Sequence, residues 1–93
     1  MPWVYILRCA DGTLYVGHTS DLAWREKRHN DGLAASYTAR RRPVRMAYSE
    51  EYASTERAIA RERQLKRWTV RKKEALIVER RQYAKGIEQT SCK

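Results

Sequence analysis

Long hydrophobic runs are missing from this sequence of 93 residues. A membrane-spanning helix needs about 18 or more largely apolar residues in succession, and no segment approaches that length. The apolar N-terminal stretch, residues 1–7, is too short for the core of a secretory signal, and Arg8 and Cys9 follow it instead of a small-residue cleavage site. We therefore expect a cytoplasmic protein without a membrane partner.

Cysteine is scarce as well, since the chain has only Cys9 and Cys92. Their spacing fits no zinc site, and two isolated cysteines do not build the disulfide framework of a small secreted domain. Both are expected to be free thiols. Internal repeats, low-complexity tracts and interdomain linkers are also lacking, which predicts one domain over residues 1–88 and a frayed tail over residues 89–93.

Acidic residues are in the minority, with 11 Asp and Glu against 20 Lys and Arg, which gives a net charge of +9 and a pI of about 10.0. Such a charge favours a polyanionic partner, because nucleic-acid binding releases condensed counterions. Ribosomes, anionic membranes or plain solubility would also suit a basic surface, so charge alone favours a nucleic acid without selecting it.

Two segments near the N-terminus predict an antiparallel hairpin, since residues 3–8 and 14–17 are rich in β-branched and aromatic residues and Asp11-Gly12 lies between them. A two-residue loop would place Tyr5 and Tyr15 on opposite faces. A three-residue loop, residues 10–12, with the glycine in a left-handed bulge position places both phenols on one face. This loop predicts two specific cross-strand pairs, Leu7 with Tyr15 and Tyr5 with Gly17.

The middle of the chain predicts a helix, a loop and a strand. The helix runs from Leu22 to His29, because residues 19–21 offer an N-cap and Asn30-Asp31-Gly32 offers a C-terminal signal. Residues 33–43 are predicted to form a loop, and Val44 to Tyr48 a third strand.

Two more helices are predicted in the C-terminal half. One begins after Ser54 and ends near Trp68, and the other begins after Thr69 and ends at Ala84 or Lys85, before Gly86. Glu62 interrupts the apolar stripe of the first of these helices, whose other members are Ala58, Ile59 and Leu65. The apolar stripe of the last helix consists of Leu76, Ile77, Tyr83, Ala84 and Ile87. The element order β-β-α-β-α-α predicts an α+β fold.

Several short motifs occur in the order known from one nuclease family. They are Val4-Tyr5, Tyr15-Val16-Gly17, Arg25 with His29 one helical turn later, and Glu62-x-x-x-Lys66. Over roughly residues 2–80 the chain resembles the GIY-YIG nuclease superfamily, and it is most similar to small stand-alone bacterial members. The resemblance implies divalent-metal-dependent hydrolysis of DNA phosphodiester bonds on a three-stranded antiparallel sheet flanked by three helices.

The same resemblance implies a role for each candidate residue. Tyr5 would be the base that takes a proton from the attacking water, and Tyr15 would position water or phosphate. Arg25 would stabilise charge on the scissile phosphate, His29 would support the nearby phenol, and Glu62 would hold one weakly bound Mg²⁺ or Mn²⁺.

The roles of Tyr5 and Glu62 can also be assessed from general chemistry. A free tyrosine is about 0.1% ionised at pH 7, a deficit of roughly 4 kcal/mol, so a phenolate needs stabilisation. The guanidinium of Arg25 and a metal ion at Glu62 could lower the pKa of Tyr5 or accept the charge that develops during proton transfer. Hard divalent ions prefer oxygen ligands, and one carboxylate is enough when phosphate and water complete the shell.

Further basic residues are candidates for binding DNA, and each has a purely structural alternative. Arg40, Arg41 and Arg42 would contact phosphates beside the cleft, or form an ordinary solvated loop. Lys66 would also bind DNA, or form an ion pair with Glu62 one helical turn away. His18 stands where several members of the superfamily have a lysine and is included in the nucleic-acid-binding set. Trp24 and Trp68 are predicted to pack rather than to stack on bases.

Three functions follow from the residues. The first is an endonuclease directed by DNA structure or damage, with a role in repair or recombination, because the chain has no room for a separate recognition domain; a partner subunit could also direct it. The second is a catalytically weak nucleic-acid-binding module that retains the fold, suggested by His18 and by the lack of an asparagine after Trp68. The third is an interaction protein whose basic surface binds an acidic partner.

Overall fold

A three-stranded antiparallel sheet carries helices on both faces. The computed structural model describes the backbone of residues 1–91 and the side chains of residues 1–80. The central strand β1 (Trp3–Arg8) lies between β2 (Leu14–Thr19) and β3 (Arg45–Glu51). The helices are α1 (Leu22–Asn30), α2 (Ser36–Ala39), α3 (Thr55–Arg67) and α4 (Val70–Ser91). The predicted α+β fold with a three-stranded antiparallel sheet is confirmed.

The hairpin between β1 and β2 has the predicted three-residue loop. Gly12 adopts a positive φ of 87°, and the amide of Cys9 donates to the carbonyl of Thr13 across the loop. Cross-strand pairing follows the predicted register, with Leu7 opposite Tyr15 and Tyr5 opposite Gly17. Since directly opposed residues point to the same side of a sheet, the two phenols share one face.

Local signals also predicted where α1 and α3 begin. Asp21 caps α1 by accepting from the amide of Trp24 at 3.0 Å, and Ser54 caps α3 by accepting from the amide of Arg57 at 3.2 Å. The helix α2 was not predicted, because residues 33–43 were expected to form a loop. It is a single turn without a side-chain cap, and the buried Thr38 ties it to α1 through His29.

Two element ends differ from the prediction. The third strand was expected to end at Tyr48, but β3 continues to Glu51 because Ser49, Glu50 and Glu51 pair with the first residues of β1. The last helix was expected to end before Gly86, but α4 continues to Ser91. A glycine costs a helix about 1 kcal/mol relative to alanine, which weakens the helix without ending it.

The core has two parts, one on each face of β1. Val4 and Ile6 pack against Leu65 of α3 and Ile77 of α4, whereas Tyr5, Leu7 and Cys9 face α1. Cys9 is a buried free thiol. The prediction for Cys92, and the part of the frayed-tail prediction that concerns residues 92–93, lie outside the described residues. Among the described residues, no helix combines the length and apolar character needed to span a membrane.

The carboxylate of Glu50 fixes α3 onto β3. It accepts from Tyr52 at 2.7 Å, from Tyr48, and from two nitrogens of Arg61 at 2.9 and 3.0 Å. Burial opposes ionisation of Glu50, but these hydrogen bonds outweigh it and hold its pKa below the ordinary value. Because Arg61 is the residue before Glu62, this anchor sets the rotation of α3 beside the sheet.

Candidate active site

Six of the predicted site residues line one cleft at the edge strand β2. The cleft has a volume of about 200 Å³, and Gly17 and Ala34 complete its wall. The predicted residues that line it are Tyr5, Tyr15, His18, Arg25, His29 and Glu62. Side chains from β1, β2, α1 and α3 thus converge on a space large enough for a phosphate group and water.

Gly17 gives the phenol of Tyr5 its place in the cleft. A Cβ atom at Gly17 would lie 2.4 Å from the Tyr5 hydroxyl and 2.6 Å from its Cζ atom, closer than any real carbon contact. The phenol therefore passes directly across the strand at the one residue of β2 that lacks a side chain. Only glycine fits at this position while Tyr5 keeps its observed place.

A buried chain of hydrogen bonds fixes the tautomer of His29. Thr38 donates its hydroxyl proton to the carbonyl of Ala35 at 3.0 Å, so its oxygen accepts from Nδ1 of His29 at 2.7 Å. The other ring nitrogen, Nε2, is then the acceptor for the Tyr5 hydroxyl at 2.9 Å. Tyr5 and His29 are only 2% and 1% exposed, so the hydrogen bond between them is buried.

Burial controls the ionisation of both rings. It raises the pKa of Tyr5 well above the ordinary value, the phenol of Tyr15 raises it further, and Arg25 only partly opposes these effects. Burial, assisted by the charge of Arg25, lowers the pKa of His29. Arg25 lowers the pKa of Tyr5 as expected, but in the free protein desolvation of the buried phenol outweighs this one nearby cation and the net shift is upward. At neutral pH both rings are uncharged, and Tyr5 donates to His29.

Arg25 and Tyr15 form the wall of the cleft near these rings. Nε of Arg25 is buried and has no hydrogen-bond partner among residues 1–80. Tyr15 packs edge-on against His29, with ring centroids 5.2 Å apart, and stacks on Tyr37 at 6.0 Å. The cleft thus offers a guanidinium with an unused donor and a phenol held in place by two neighbouring rings.

Glu62 is held by two basic side chains. Its carboxylate contacts Nδ1 of His18 at 2.6 Å and Nζ of Lys66 at 3.0 Å. Burial opposes ionisation, but the hydrogen bonds from Lys66 and His18 prevail and lower the pKa of Glu62. The carboxylate is therefore ionised at neutral pH and 13% exposed at the cleft. The predicted ion pair with Lys66 is present, together with a contact to His18 that was not predicted.

The donor set fits a weakly held hard cation rather than a closed metal site. Among the residues whose side chains are described, no group of three or more His, Cys, Asp or Glu could enclose a metal ion. Glu62 alone supplies a charged oxygen ligand to the cleft, so phosphate and water would have to complete the shell. A Mg²⁺ or Mn²⁺ ion is compatible with such a site when the substrate is bound.

Comparisons with known proteins agree with this geometry. The GIY-YIG catalytic domain matches residues 1–75, which is most of the chain. The chain belongs to the GIY-YIG family. The family consists of nucleases that generally use divalent metal ions, and a nuclease domain indicates a DNA substrate.

Bacterial UPF0213 proteins are similar to this chain over most of their length. A UPF0213 protein from Bacillus pumilus is 46% identical over 79 residues, which cover 85% of this chain and 81% of that protein. A UPF0213 protein from Staphylococcus aureus is 45% identical over 78 residues, which cover 84% of this chain and 95% of that protein. The solution NMR structure of a UPF0213 protein from Bacillus halodurans has a TM-score of 0.54 and 40% identity, and the match covers 84% of each chain.

The three consecutive arginines of this GIY-YIG domain, Arg40, Arg41 and Arg42, differ in their contacts. Arg41 contacts Asp11 at 3.0 Å and lies 3.8 Å above the ring of Tyr37, and Arg42 donates to the carbonyls of Ala39 and Asn30. The side chain of Arg40 is exposed and makes no hydrogen bond or ion pair within residues 1–80, although its backbone amide donates to the carbonyl of Thr38. The proposed phosphate contacts of this run stay a prediction, with Arg40 as the member best placed to make one.

Three residues near the GIY-YIG site were missed or misjudged from the sequence. Thr38 and Tyr37 lie in a segment expected to be a loop, and nothing in the local sequence marks either as a neighbour of His29 or Tyr15. Trp24 was expected to pack, but it is exposed between two arginines; its position in the first turn of a polar helix was the available signal. Trp68, in contrast, packs against the core as expected.

Proposed function

We propose that this protein is a divalent-metal-dependent endonuclease that hydrolyses phosphodiester bonds in DNA. The observation that carries the proposal is the hydrogen-bond chain from Thr38 through His29 to Tyr5. Its Tyr5 end lies in the same cleft as Arg25 and Glu62. A tyrosine with a purely structural role can donate its hydroxyl proton to any acceptor. A tyrosine that must give up its proton needs a base that faces it, which is what a histidine of fixed tautomer provides.

The proton path follows from the direction of these hydrogen bonds. Tyr5 takes a proton from the attacking water while it passes its own hydroxyl proton to Nε2 of His29. The transfer is concerted, because an isolated phenolate is disfavoured by burial. Thr38 keeps Nδ1 protonated throughout, so Nε2 is the nitrogen that faces the phenol.

The remaining cleft residues bind and stabilise the scissile phosphate. Arg25 donates to a non-bridging oxygen, since its guanidinium lines the cleft and carries a positive charge. Glu62 would hold Mg²⁺ or Mn²⁺, and His18 and Lys66, which contact its carboxylate in the free protein, would then be available to the DNA backbone. When bound, such an ion neutralises phosphate charge and favours deprotonation of water.

The substrate is a DNA feature recognised by its structure, such as a branch or a damaged site. The charge of +9 suits binding to any DNA backbone, whatever its base sequence. A role in repair or recombination within the cytoplasm is consistent with that substrate, and a partner subunit would refine its choice.

Cleavage of labelled branched, nicked and linear DNA in Mg²⁺ or Mn²⁺ tests the proposal. We expect Tyr5→Phe to lower the single-turnover rate by about 10²-fold or more, the usual range for loss of a general base. Glu62→Gln should also lower the rate strongly, because it removes the charged oxygen ligand proposed for the metal ion. Tyr52→Phe is the matched control, because it removes a phenol that contacts Glu50 outside the cleft. Equal rates for wild type and Tyr5→Phe, with metal present, would contradict the proposal.

A catalytically weak DNA-binding module is the second candidate. The contacts of Glu62 favour it, because Lys66 and His18 compete with a metal ion for the carboxylate. This candidate predicts salt-dependent DNA binding that a chelator leaves unchanged, with no cleavage on any substrate. Cleavage that a chelator abolishes would exclude it.

A further inference from the structure

A second hollow adjoins the candidate active cleft. It has a volume of about 280 Å³, and His18 and Arg25 line both spaces. The rest of its wall is formed by Pro2, Thr19, Ser20, Trp24 and Thr55. A ligand with a phosphate near Arg25 therefore reaches the second hollow without crossing any other part of the protein.

The indole of Trp24 is the most unusual part of this wall. It is 50% exposed, although a large aromatic side chain gains most from burial. The guanidinium carbons of Arg25 and Arg28 lie 5.5 and 5.1 Å from the centre of its ring. Both guanidinium groups lie over the ring, and an exposed aromatic ring with positive charges close to it is the combination that binds a nucleobase together with its phosphates.

Both arginines have a donor that the described part of the chain leaves unused. Nε of Arg25 and Nε of Arg28 are buried and lack a hydrogen-bond partner among residues 1–80. Buried donors nearly always have a partner, and an unpaired one is unfavourable. An anionic ligand that settles beside Trp24 would shift these side chains and satisfy them.

We propose that the second hollow binds an unpaired nucleotide of a DNA strand, with its base stacked on Trp24 and its phosphates held by Arg25 and Arg28. The base must be unpaired and unstacked, because neighbours in an intact duplex cover both of its faces. The inference rests on the proposed function only for the position of the scissile phosphate in the adjoining cleft. The substrate class is then DNA with an unpaired strand next to the cut.

DNA binding in a metal chelator tests this site without any cleavage. Fluorescence anisotropy would compare a labelled single-stranded oligonucleotide with a blunt duplex of the same sequence. We expect Trp24→Ala to weaken single-strand binding about 5- to 100-fold, the range for loss of one stacked base, and to change duplex binding little. Val78→Ala is the matched control, because it removes another exposed apolar side chain that lines neither hollow.

A second measurement separates stacking from charge. A 2-aminopurine base in the oligonucleotide should lose fluorescence on binding to wild type and keep it with Trp24→Ala. Trp24→Ala should leave the salt dependence unchanged, whereas Arg28→Ala should reduce its slope by about the equivalent of one phosphate contact. Circular dichroism would confirm that each variant is folded.

Several outcomes would overturn this site. They are unchanged single-strand affinity of Trp24→Ala, an equal loss on the blunt duplex, and 2-aminopurine fluorescence that does not depend on Trp24. Trp24-dependent binding by a protein that cuts nothing in Mg²⁺ would instead refute the nuclease proposal and leave the nucleotide site standing. If Trp24→Ala cleaves DNA at the wild-type rate and binds single strands as wild type does, the nucleotide site is refuted and the nuclease proposal stands.

Discussion

At the scale of single residues, the hydroxyl of Thr38 determines which nitrogen of His29 carries the proton. Its own proton goes to the carbonyl of Ala35, so it can only accept from Nδ1. Without this acceptor the imidazole could place its proton on Nε2, where it would face the hydroxyl of Tyr5 as a second donor. Thr38 is therefore a positioning residue that acts through His29.

Thr38→Val should separate this role from simple packing, because valine keeps the shape and removes the acceptor. We expect a loss of about 1–3 kcal/mol in the free energy of unfolding, since a buried N–H is left unpaired. Cleavage should fall about 10- to 100-fold, as is usual when a partner that orients a histidine is removed. Nitrogen chemical shifts of His29 should report the changed tautomer, and Thr38→Ser should restore both tautomer and rate. Unchanged shifts with a normal rate would refute this role.

Burial of His29 also predicts a pH dependence of stability. Its pKa is lowered in the folded protein, whereas an unfolded histidine titrates near about 6.5. Below that pH the unfolded chain binds a proton that the folded protein does not bind. The stability contribution is therefore complete above about pH 6.5 and is lost as the pH falls towards the lowered pKa.

Urea unfolding of wild type and His29→Gln between about pH 7.5 and about pH 5 would check this. The free energy of unfolding should fall more steeply for wild type, by up to about 1.4 kcal/mol per pH unit for one proton. Carboxylates titrate mainly below this window and contribute little to the difference. Parallel curves for the two proteins would contradict the assignment.

At the scale of elements, the edge strand β2 brings together side chains from both faces of the sheet. Tyr15 lies on the face of Tyr5, and His18 lies on the opposite face with Val4. Gly17 between them has no side chain, so the Tyr5 hydroxyl lies where a Cβ atom would be. Tyr5 and Glu62 line the same cleft, and the charge of Glu62 raises the pKa of Tyr5. The missing side chain thus connects the proton path with the proposed metal ligand.

Gly17→Ala tests this connection. The added methyl group would overlap the phenol of Tyr5, so we expect a loss of about 1–3 kcal/mol in stability, typical of overpacking, and loss of cleavage. The control is the same substitution in a Tyr5→Leu background, where no phenol remains to be displaced and the loss should be much smaller. Equal losses in the two backgrounds would show that Gly17 is required for another reason.

The elements also show where sequence arguments succeed. Gly12 fixed the loop length and therefore the register, and Asp21 and Ser54 fixed helix starts, because each acts on its own neighbours. In contrast, α2 and the last residues of β3 depend on contacts between distant segments. Thr38 needs His29, and Glu50 needs Arg61, so local propensity contains no signal for either.

In the candidate site, too, some features could be predicted from the sequence and others depend on the fold. The ordered motif identified Tyr5, Tyr15, Arg25, His29 and Glu62, and the structure places all five in one cleft. Their roles stay predictions. Sequence patterns could not give the direction of the hydrogen bond from Tyr5, because that direction depends on Thr38, nor the exposure of Trp24, because that depends on what the fold leaves uncovered.

At the scale of the whole molecule, a net charge of +9 makes DNA binding dependent on salt. The logarithm of affinity should fall linearly with the logarithm of salt concentration, with a slope near −0.7 for each single-strand phosphate contact and about −0.9 for each duplex contact. This term carries no sequence information, which agrees with a substrate chosen by its structure. Individual arginines differ in whether they contribute to it.

The arginine run allows this difference to be measured within three consecutive residues. Arg40 is exposed without a described partner, so we expect Arg40→Ala to reduce the salt slope by about one contact and to change stability by less than about 0.5 kcal/mol. Arg42 donates to the carbonyls of Ala39 and Asn30, so Arg42→Ala should cost about 0.5–1.5 kcal/mol in stability and change the slope less.

Anisotropy titrations at several salt concentrations, paired with urea unfolding, give both quantities for each variant. If Arg40→Ala leaves the slope unchanged, the loop is an ordinary solvated surface and DNA lies elsewhere. If Arg42→Ala changes the slope more than Arg40→Ala, the bound state breaks the loop contacts of Arg42. In that case DNA would bind by rearranging the segment that carries Thr38, so binding and the tautomer of His29 would be coupled through α2.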